Sequence, residues 1–433
     1  MAQKKNPPQK FFYGWAITGV VFLNLAMAYG SQYSFGVFFP FLIQEFGWSR
    51  QSLSGAFSLY AFLYSFLGVI LGRWSDRYGP RIVLLGGSLC LGIGIGLISQ
   101  VQAVWHIYLF YGLLASWGMS AAYITAGPTI VKWFVARRGV ALGLAQSGQG
   151  VGIILIPQLT GVLISAFDWR QACIFLGLTV FIVLFTTAFF LIGQPEKLGL
   201  KPDGGQNKSS RNSFVPSQEP VYQEYTWSAA EAMHTKSFWV LTALFFSTWL
   251  FVFLPLVHMV IFAMDIGLTK ESALIALGIL GGFSTFGRLV MGFISDRIGR
   301  KQTLMVSLGL QVFSWFWLMG TATSSMLYIF AGAFGFSYGA ISTLFSAIAG
   351  DYFGRLQAAS VIGTMFTISS PSAAIGPLIG GYLYDLTRSY QSAFLLGALT
   401  NLLALALLFI SKPPRRTEVR SKGELKVEGN MVS

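Results

Sequence analysis

Long apolar runs broken by short polar stretches repeat along the whole sequence. Crossing a hydrocarbon core of about 30 Å takes roughly 20 apolar residues. Twelve stretches meet this, near 12–39, 52–72, 81–100, 104–131, 139–165, 171–193, 238–264, 272–295, 302–321, 326–349, 357–384 and 390–411. They predict an all-α membrane protein with 12 transmembrane helices in two six-helix bundles. The one long polar stretch, 194–236, is rich in Gly, Ser, Asn, Gln and charge. It reads as a linker with a short amphipathic helix near Trp227–Met233, between an N-terminal bundle (1–193) and a C-terminal one (237–411). Residues 412–433 form a polar tail. The first apolar run is too long for a signal segment and reads as a retained helix.

Composition agrees with that pattern. Of 433 residues, 54% are hydrophobic and only 10% charged, against about 25% charged in a soluble domain. The 49 glycines suit closely packed helices. A net charge of +13 would point to nucleic acid in a soluble chain, but here its distribution decides. With the N-terminus in the cytoplasm, the cytoplasmic segments hold 24 of the 29 Lys and Arg residues, and the outer loops hold Arg50, Arg170, Lys270 and Arg388. This is the positive-inside asymmetry, which predicts cytoplasmic termini in an inner membrane and accounts for the charge without nucleic acid. Cys90 and Cys173 both fall in apolar runs, so no disulfide framework is implied.

The two halves repeat. Gly72-Arg-Trp-Ser-Asp76-Arg77-Tyr-Gly79-Pro-Arg81 closes the second span, and Gly292-Phe-Ile-Ser-Asp296-Arg297-Ile-Gly299-Arg300 closes the eighth. Two copies of G-x-x-S-D-R-x-G, each after the second helix of its half, imply a six-plus-six duplication. The motif resembles the loop between the second and third helices of the major facilitator superfamily. Asp76, Arg77, Arg81, Asp296, Arg297 and Arg300 suit a latch that pairs charges across the cytoplasmic seam between the halves. Their simpler reading is that cations anchor topology.

Sorting all the charged residues by position isolates one. Every Asp and Glu, and every other Lys and Arg, falls in a loop, a tail or a helix end; Arg288 does not. It lies eight residues before Asp296, about 12 Å from the helix end. A mid-membrane arginine costs several kcal/mol unless it faces a cavity and finds a partner. With no acid in the spans, the simplest counter-ion is an anion that comes and goes, and a guanidinium fork fits a carboxylate. One fixed cation argues for one carboxylate. The alternative is a structural arginine bonded to backbone carbonyls or hydroxyls of neighbouring helices.

Span five begins Trp133-Phe134-Val-Ala-Arg137-Arg138-Gly-Val140-Ala141-Leu-Gly143-Leu-Ala145-Gln-Ser147-Gly148. This is similar to the fifth-helix signature of monocarboxylate transporters, and Arg288-Leu-Val-Met-Gly292 is similar to their arginine helix. Tyr13-Gly14-Trp15 resembles the opening of the oxalate/formate exchanger group. These resemblances imply a bacterial relative of the lactate-type transporters, working as a monomer by alternating access, without cofactor or metal. Three departures stand out. Of the family's opening motif only Tyr13-Gly14-Trp15 is present, its first-helix lysine falls on Tyr33, and its eighth-helix aspartate falls on Ser284, so its proton coupling does not carry over unchanged. The exchanger's eleventh-helix lysine falls near Ser369 or Ser370.

His258 is the one histidine inside a span, and imidazole titrates near neutral pH. It is the candidate proton relay, accepting a proton together with the anion at Arg288; the alternative is a neutral histidine bonded within the bundle. Candidate cavity residues are Tyr29, Tyr33, Tyr123, Gln146, Gln149, Ser284, Tyr338 and Phe345. Tyr29 and Tyr33 share a helix face. Gly335-Phe-Ser337-Tyr-Gly339 fits a hydrolase elbow, but it lies mid-helix with no strand before it, so it does not indicate an enzyme. The sequence predicts a carrier of a small monocarboxylate such as lactate or pyruvate, with a proton. An oxalate/formate-type anion exchanger is the alternative.

Overall fold

The computed structural model describes residues 12–134, 138–201, 227–353 and 358–414. Most of the linker (202–226), the tail beyond 414 and the side chains of Asp76 and Asp296 lie outside the described residues.

Twelve helical passages follow one another among the described residues. The first six are α1 (Tyr13–Phe46), α2 (Arg50–Tyr78), α3 (Pro80–Leu97), α4 (Val104–Trp133), α5 (Arg138–Ala166) and α6 (Trp169–Phe190). The next are α7 (Lys236–Asp265), α8 (Lys270–Ile298), α9 (Arg300–Met319) and α10 (Ser324–Phe353). Last come α11, in two pieces (Ala358–Ser369 and Ser372–Thr387), and α12 (Gln391–Ile410). Ten passages are long and apolar enough to cross a membrane; α2 and α9 have similar length but more polar sequences. A short helix, Ala229–Met233, precedes α7 and is held by reciprocal capping between Ser228 and Glu231.

The polar breaks act as caps. Ser49, Asp168, Thr235 and Thr269 each accept a backbone N–H in the first turn of α2, α6, α7 and α8. The repeated motif is also a repeated backbone turn. Gly79 and Gly299 stand at φ 91°, ψ 154° and φ 93°, ψ 146°, each ending one helix and starting the next. Only glycine adopts that region without strain.

Within the first bundle α1 packs on α5, α3 on α6, and α2 and α3 on α4; in the second α8 and α9 pack on α10, and α7 and α9 on α12. The bundles meet along α2–α11, α5–α8 and α1–α7. Advancing each number by six turns the α2–α11 seam into α8–α5, which is the signature of a pseudo-two-fold axis. Close approach depends on small residues. A Cβ at Gly335 or Gly339 of α10 would strike the backbone carbonyl of Leu280 or Ser284 of α8. The glycines read in the sequence as an elbow to be discounted are therefore a helix crossing.

Two expected spans are not continuous. α7 breaks between Leu250 and Phe253, and α11 between Ser369 and Ser372. Proline explains both: Pro255 cannot donate to the carbonyl of Phe251, nor Pro371 to that of Thr367. α4 contains a π-helical segment, Tyr108–Ala115, and α1 extends seven residues past its expected end at 39.

Candidate functional site

The connectivity fixes which helix ends share a face. α1 starts and α12 ends at the terminal face; α2 and α12 start, and α7 and α11 end, at the far face. Between the bundles lies a cavity of about 680 Å³. Its lining includes Leu142 and Gly143 near the start of α5, Ser346 near the end of α10, and Ile362 and Gly363 near the start of α11. All of these lie toward the terminal face, so the cavity leads there.

Arg288 lies on its wall, about 15 Å along α8 from the terminal-face end. Leu280, Ser284 and Gly287 lie against α10, where Gly335 and Gly339 set the spacing, and Gly281 lies against α5. Arg288, one turn on from Ser284, therefore stands where α8 meets both helices. Arg288 is half-buried. Its Nε donates to Ser342 Oγ at 3.3 Å and Nη1 to the Gln146 carbonyl at 3.4 Å. The Tyr338 ring centre is 5.9 Å away. Among the described residues no carboxylate pairs with Arg288, and no Asp or Glu lines the cavity. These two long hydrogen bonds use two of its five N–H donors, and the residue lines the space between the bundles.

Of the expected cavity residues, Tyr29, Tyr123, Gln146, Gln149, Tyr338 and Phe345 line the cavity with Arg288. Gln149 donates to the Gln146 side chain. Tyr29 and Tyr123 meet edge to face at 6.5 Å. Tyr33 lies behind Tyr29, 1% exposed, against Phe253. Ser284 is fully buried, donates to the Gly281 carbonyl and faces Gly339, so it serves the helix crossing and not the cavity wall. Sequence reasoning missed Tyr64, Trp249, Phe253, Thr285, Ser342 and Phe366. Helical spacing carried a signal for two of them: Thr285 is three residues before Arg288, and Ser342 four after Tyr338.

His258 is elsewhere. It is 1% exposed and sits at the far-face seam, outside the cavity that Arg288 lines. Its Nδ1 meets Tyr390 Oη at 2.8 Å, and its Nε2 meets Ser54 Oγ at 2.9 Å and the Pro377 carbonyl at 3.3 Å. In this arrangement His258 and Arg288 are not one joint site. The seam also holds a charge cluster. Arg50, at the start of α2, makes a two-pronged ion pair with Asp265, donates to Tyr390 Oη at 2.9 Å and stacks 3.5 Å over the Tyr384 ring. Asp385 accepts the backbone N–H groups of Arg50 and Gln51 at 3.1 and 2.9 Å. This cluster ties α2 of one bundle to α7, α11 and α12 of the other.

At the terminal face, the described contacts of the motif cations stay within their own bundle. Arg81 lies 4.8 Å from the Phe189 ring, Arg77 lies over Tyr78 and Arg297 over Phe293. Arg300 pairs with Asp351 at 3.1 Å and donates to the Ala347 carbonyl.

Two pseudo-symmetric bundles around a cavity, held together at the far face and lined toward the terminal face, define a membrane transporter and not an enzyme. The chain belongs to the Major Facilitator Superfamily, whose family model matches residues 21–296 and 281–429. It is 28% identical over 367 residues to "Monocarboxylate transporter 12" of Xenopus laevis, covering 80% of this chain and 79% of that one. It is 27% identical to "Monocarboxylate transporter 4" of Rattus norvegicus (96% and 88% covered) and 26% identical to "Oxalate:formate antiporter" of Oxalobacter formigenes (96% of each). Among solved structures, a mutant of the nucleoside transporter NupG matches with a TM-score of 0.71 at 13% identity, over 92% of this chain and 100% of that one. A bacterial homologue of the human lysosomal transporter Spinster, in an inward-facing and occupied conformation, matches at 0.70 and 14%, over 95% and 99%. At such identities the solved structures speak to the fold alone.

Proposed function

We propose that this protein carries small monocarboxylates of the lactate or pyruvate type across the membrane by alternating access, with a proton as co-substrate. The observation that carries this reading is Arg288: a cation on the cavity wall, held by two long hydrogen bonds and facing no carboxylate among the described residues. A carboxylate that enters from solution supplies the missing charge, and the fork geometry orients it. A single cation matches a single carboxylate. Tyr29, Tyr123, Tyr338 and Phe345 enclose the apolar body of the substrate, while Gln146 and Gln149 offer amide groups to its other polar atoms. The names of the relatives support an organic anion as cargo. The Lys and Arg distribution supports an inner-membrane protein whose terminal face is cytoplasmic, so the cavity described here is the inward-facing one. This reading takes a single chain as the working unit, supported by a cavity whose lining residues come from both bundles of that chain.

The second reading is exchange of organic anions, favoured by the likeness to the oxalate:formate antiporter over 96% of both chains. One assay separates the two: uptake of labelled lactate into proteoliposomes, with and without an inward proton gradient, for wild type and Arg288→Gln. Gradient-driven uptake that vanishes in the variant is expected. Uptake that ignores the gradient and requires an internal anion would replace symport with exchange, and lactate transport undiminished in Arg288→Gln would remove Arg288 from the site.

A further inference from the structure

The far-face seam contains a buried imidazole that the anion cavity does not use. Both its nitrogens are engaged, and the engagement joins the two bundles. Ser54 belongs to α2, Pro377 to α11, and Tyr390 precedes α12. The ring of Phe39 on α1 packs 5.1 Å from it.

Hydrogen-bond accounting fixes the state this arrangement fits. Tyr390 Oη accepts from Arg50 Nη1, so the tyrosine's own hydrogen is free to point at His258 Nδ1, which accepts. The ring hydrogen is then assigned to Nε2, which faces Ser54 Oγ and the Pro377 carbonyl. A neutral imidazole satisfies every partner. A second proton would arrive at Nδ1 and turn that acceptor into a donor. It would face a hydroxyl that already accepts from Arg50, placing two cations on one oxygen.

Among the described residues no carboxylate is hydrogen-bonded to the ring. On α2 the charged neighbour is Arg50 itself. On α7, Asp265 is committed to Arg50 through both carboxylate oxygens. On α11, Asp385 is committed to backbone N–H groups, and Tyr384 lies under the Arg50 guanidinium. Arg388 caps α11, and Lys270 of α8 lies over the Phe41 ring of α1. Leu318 and Phe330 of α9 and α10, with Phe394 of α12, complete an apolar pocket of about 10 Å³ on its other side.

We propose that His258 is the proton-binding site of a gate at the far face: the neutral ring locks α2 to α7, α11 and α12, and a proton taken up from the far side releases them. The purpose of such a gate rests on the transport reading above, but the proton and the anion then occupy separate places. Separating the bundles relieves the conflict over the Tyr390 hydroxyl, so protonation favours the open far face. By linkage, opening favours protonation to the same degree.

The experiment measures the gate directly, without any substrate. Spin labels are placed on exposed far-face positions of the two bundles, Gln102→Cys and Ala322→Cys, in a chain whose Cys90 and Cys173 are replaced by alanine. Pulsed distance measurements in lipid nanodiscs at about pH 8 and about pH 5.5 bracket ordinary imidazole titration. Acidification is expected to raise the ratio of long to short distances by about tenfold in the parent chain, within the usual range of coupling between sites. In His258→Gln, which keeps a hydrogen-bonding side chain but cannot titrate here, the ratio stays constant. Tyr390→Phe keeps the ring and removes the shared hydroxyl, so it should populate the long distance already at pH 8; it serves if His258→Gln does not fold. An unchanged pH response in His258→Gln, or a pH-insensitive parent chain, overturns the proposal. Lactate binding by the same parent chain is measured in parallel. Its absence would count against the anion reading alone, since the distance readout needs no anion.

Discussion

Replacing Arg288 by lysine and by glutamine separates its charge from its shape. The guanidinium has five N–H donors. Ser342 and the Gln146 carbonyl take one on Nε and one on Nη1, leaving one on Nη1 and both on Nη2. Those three suffice for a two-pronged grip on a carboxylate. A hydrogen bond to a charged group contributes about 1.5–3 kcal/mol. Because Arg288 is half-buried in a cavity that leads to one face, competing water places each bond at the low end. Losing both in Arg288→Gln then costs about 3 kcal/mol, roughly 100-fold in Kd, and Arg288→Lys, which keeps the charge and one bond, about tenfold. Titration calorimetry with lactate on protein in nanodiscs reads these ratios directly. The order of affinities should be wild type, lysine, glutamine. If lysine binds within twofold of wild type, the fork is not the recognition element. If glutamine also does, the carboxylate lies elsewhere.

Three further outcomes follow from the packing. Gly339→Val forces a branched side chain against the Ser284 carbonyl, so overpacking should cost about 1–3 kcal/mol, and a thermal midpoint equal to wild type would contradict the α8–α10 contact. Arg50→Ala leaves Asp265 without its ion-pair partner at the far-face seam. A cysteine at Ser54 should then react several-fold faster with a membrane-impermeant maleimide, and an unchanged rate would show that the pair does not hold the seam. Trp249 lies on the cavity wall, so lactate should quench part of the protein's tryptophan fluorescence. Trp249→Phe should remove that component while changing affinity by no more than a few-fold; a quench that survives intact would place the anion away from α7.

Much of the architecture was legible because the bilayer imposes a length on every apolar run. The duplication was legible because Gly79 and Gly299 must both be glycine to make their turns. Arg288 could be singled out because a mid-span charge is expensive wherever it occurs. The far-face cluster was harder to read. Arg50, Asp265 and Asp385 each stand near a helix end, where charges are ordinary, and only the tertiary arrangement brings them together. His258 was legible as a titratable group in a span, but one-dimensional position does not tell the cavity from the seam. Tyr33 and Ser284 show the same limit: helical spacing names a face, and the neighbouring helix decides whether that face is wall or packing. The breaks in α7 and α11 had a signal in Pro255 and Pro371. α1, α5 and a part of α4 also contain proline and remain helical, so the residue alone did not settle it.

Those two breaks make the bundles mechanically unequal. α7 and α11 correspond by the internal duplication to α1 and α5, which run unbroken from face to face. The joints of the second bundle adjoin one another: Gly376 of α11 abuts the Leu250 carbonyl at the α7 break, and Ser369 Oγ donates to the Thr242 carbonyl of α7. Trp249 and Phe366 stand just on the terminal side of these joints, and both line the cavity. The second bundle therefore carries paired interruptions where the first has continuous helices. Any bend at these paired interruptions would carry Trp249 and Phe366 with it, which ties this side of the cavity wall to the joints.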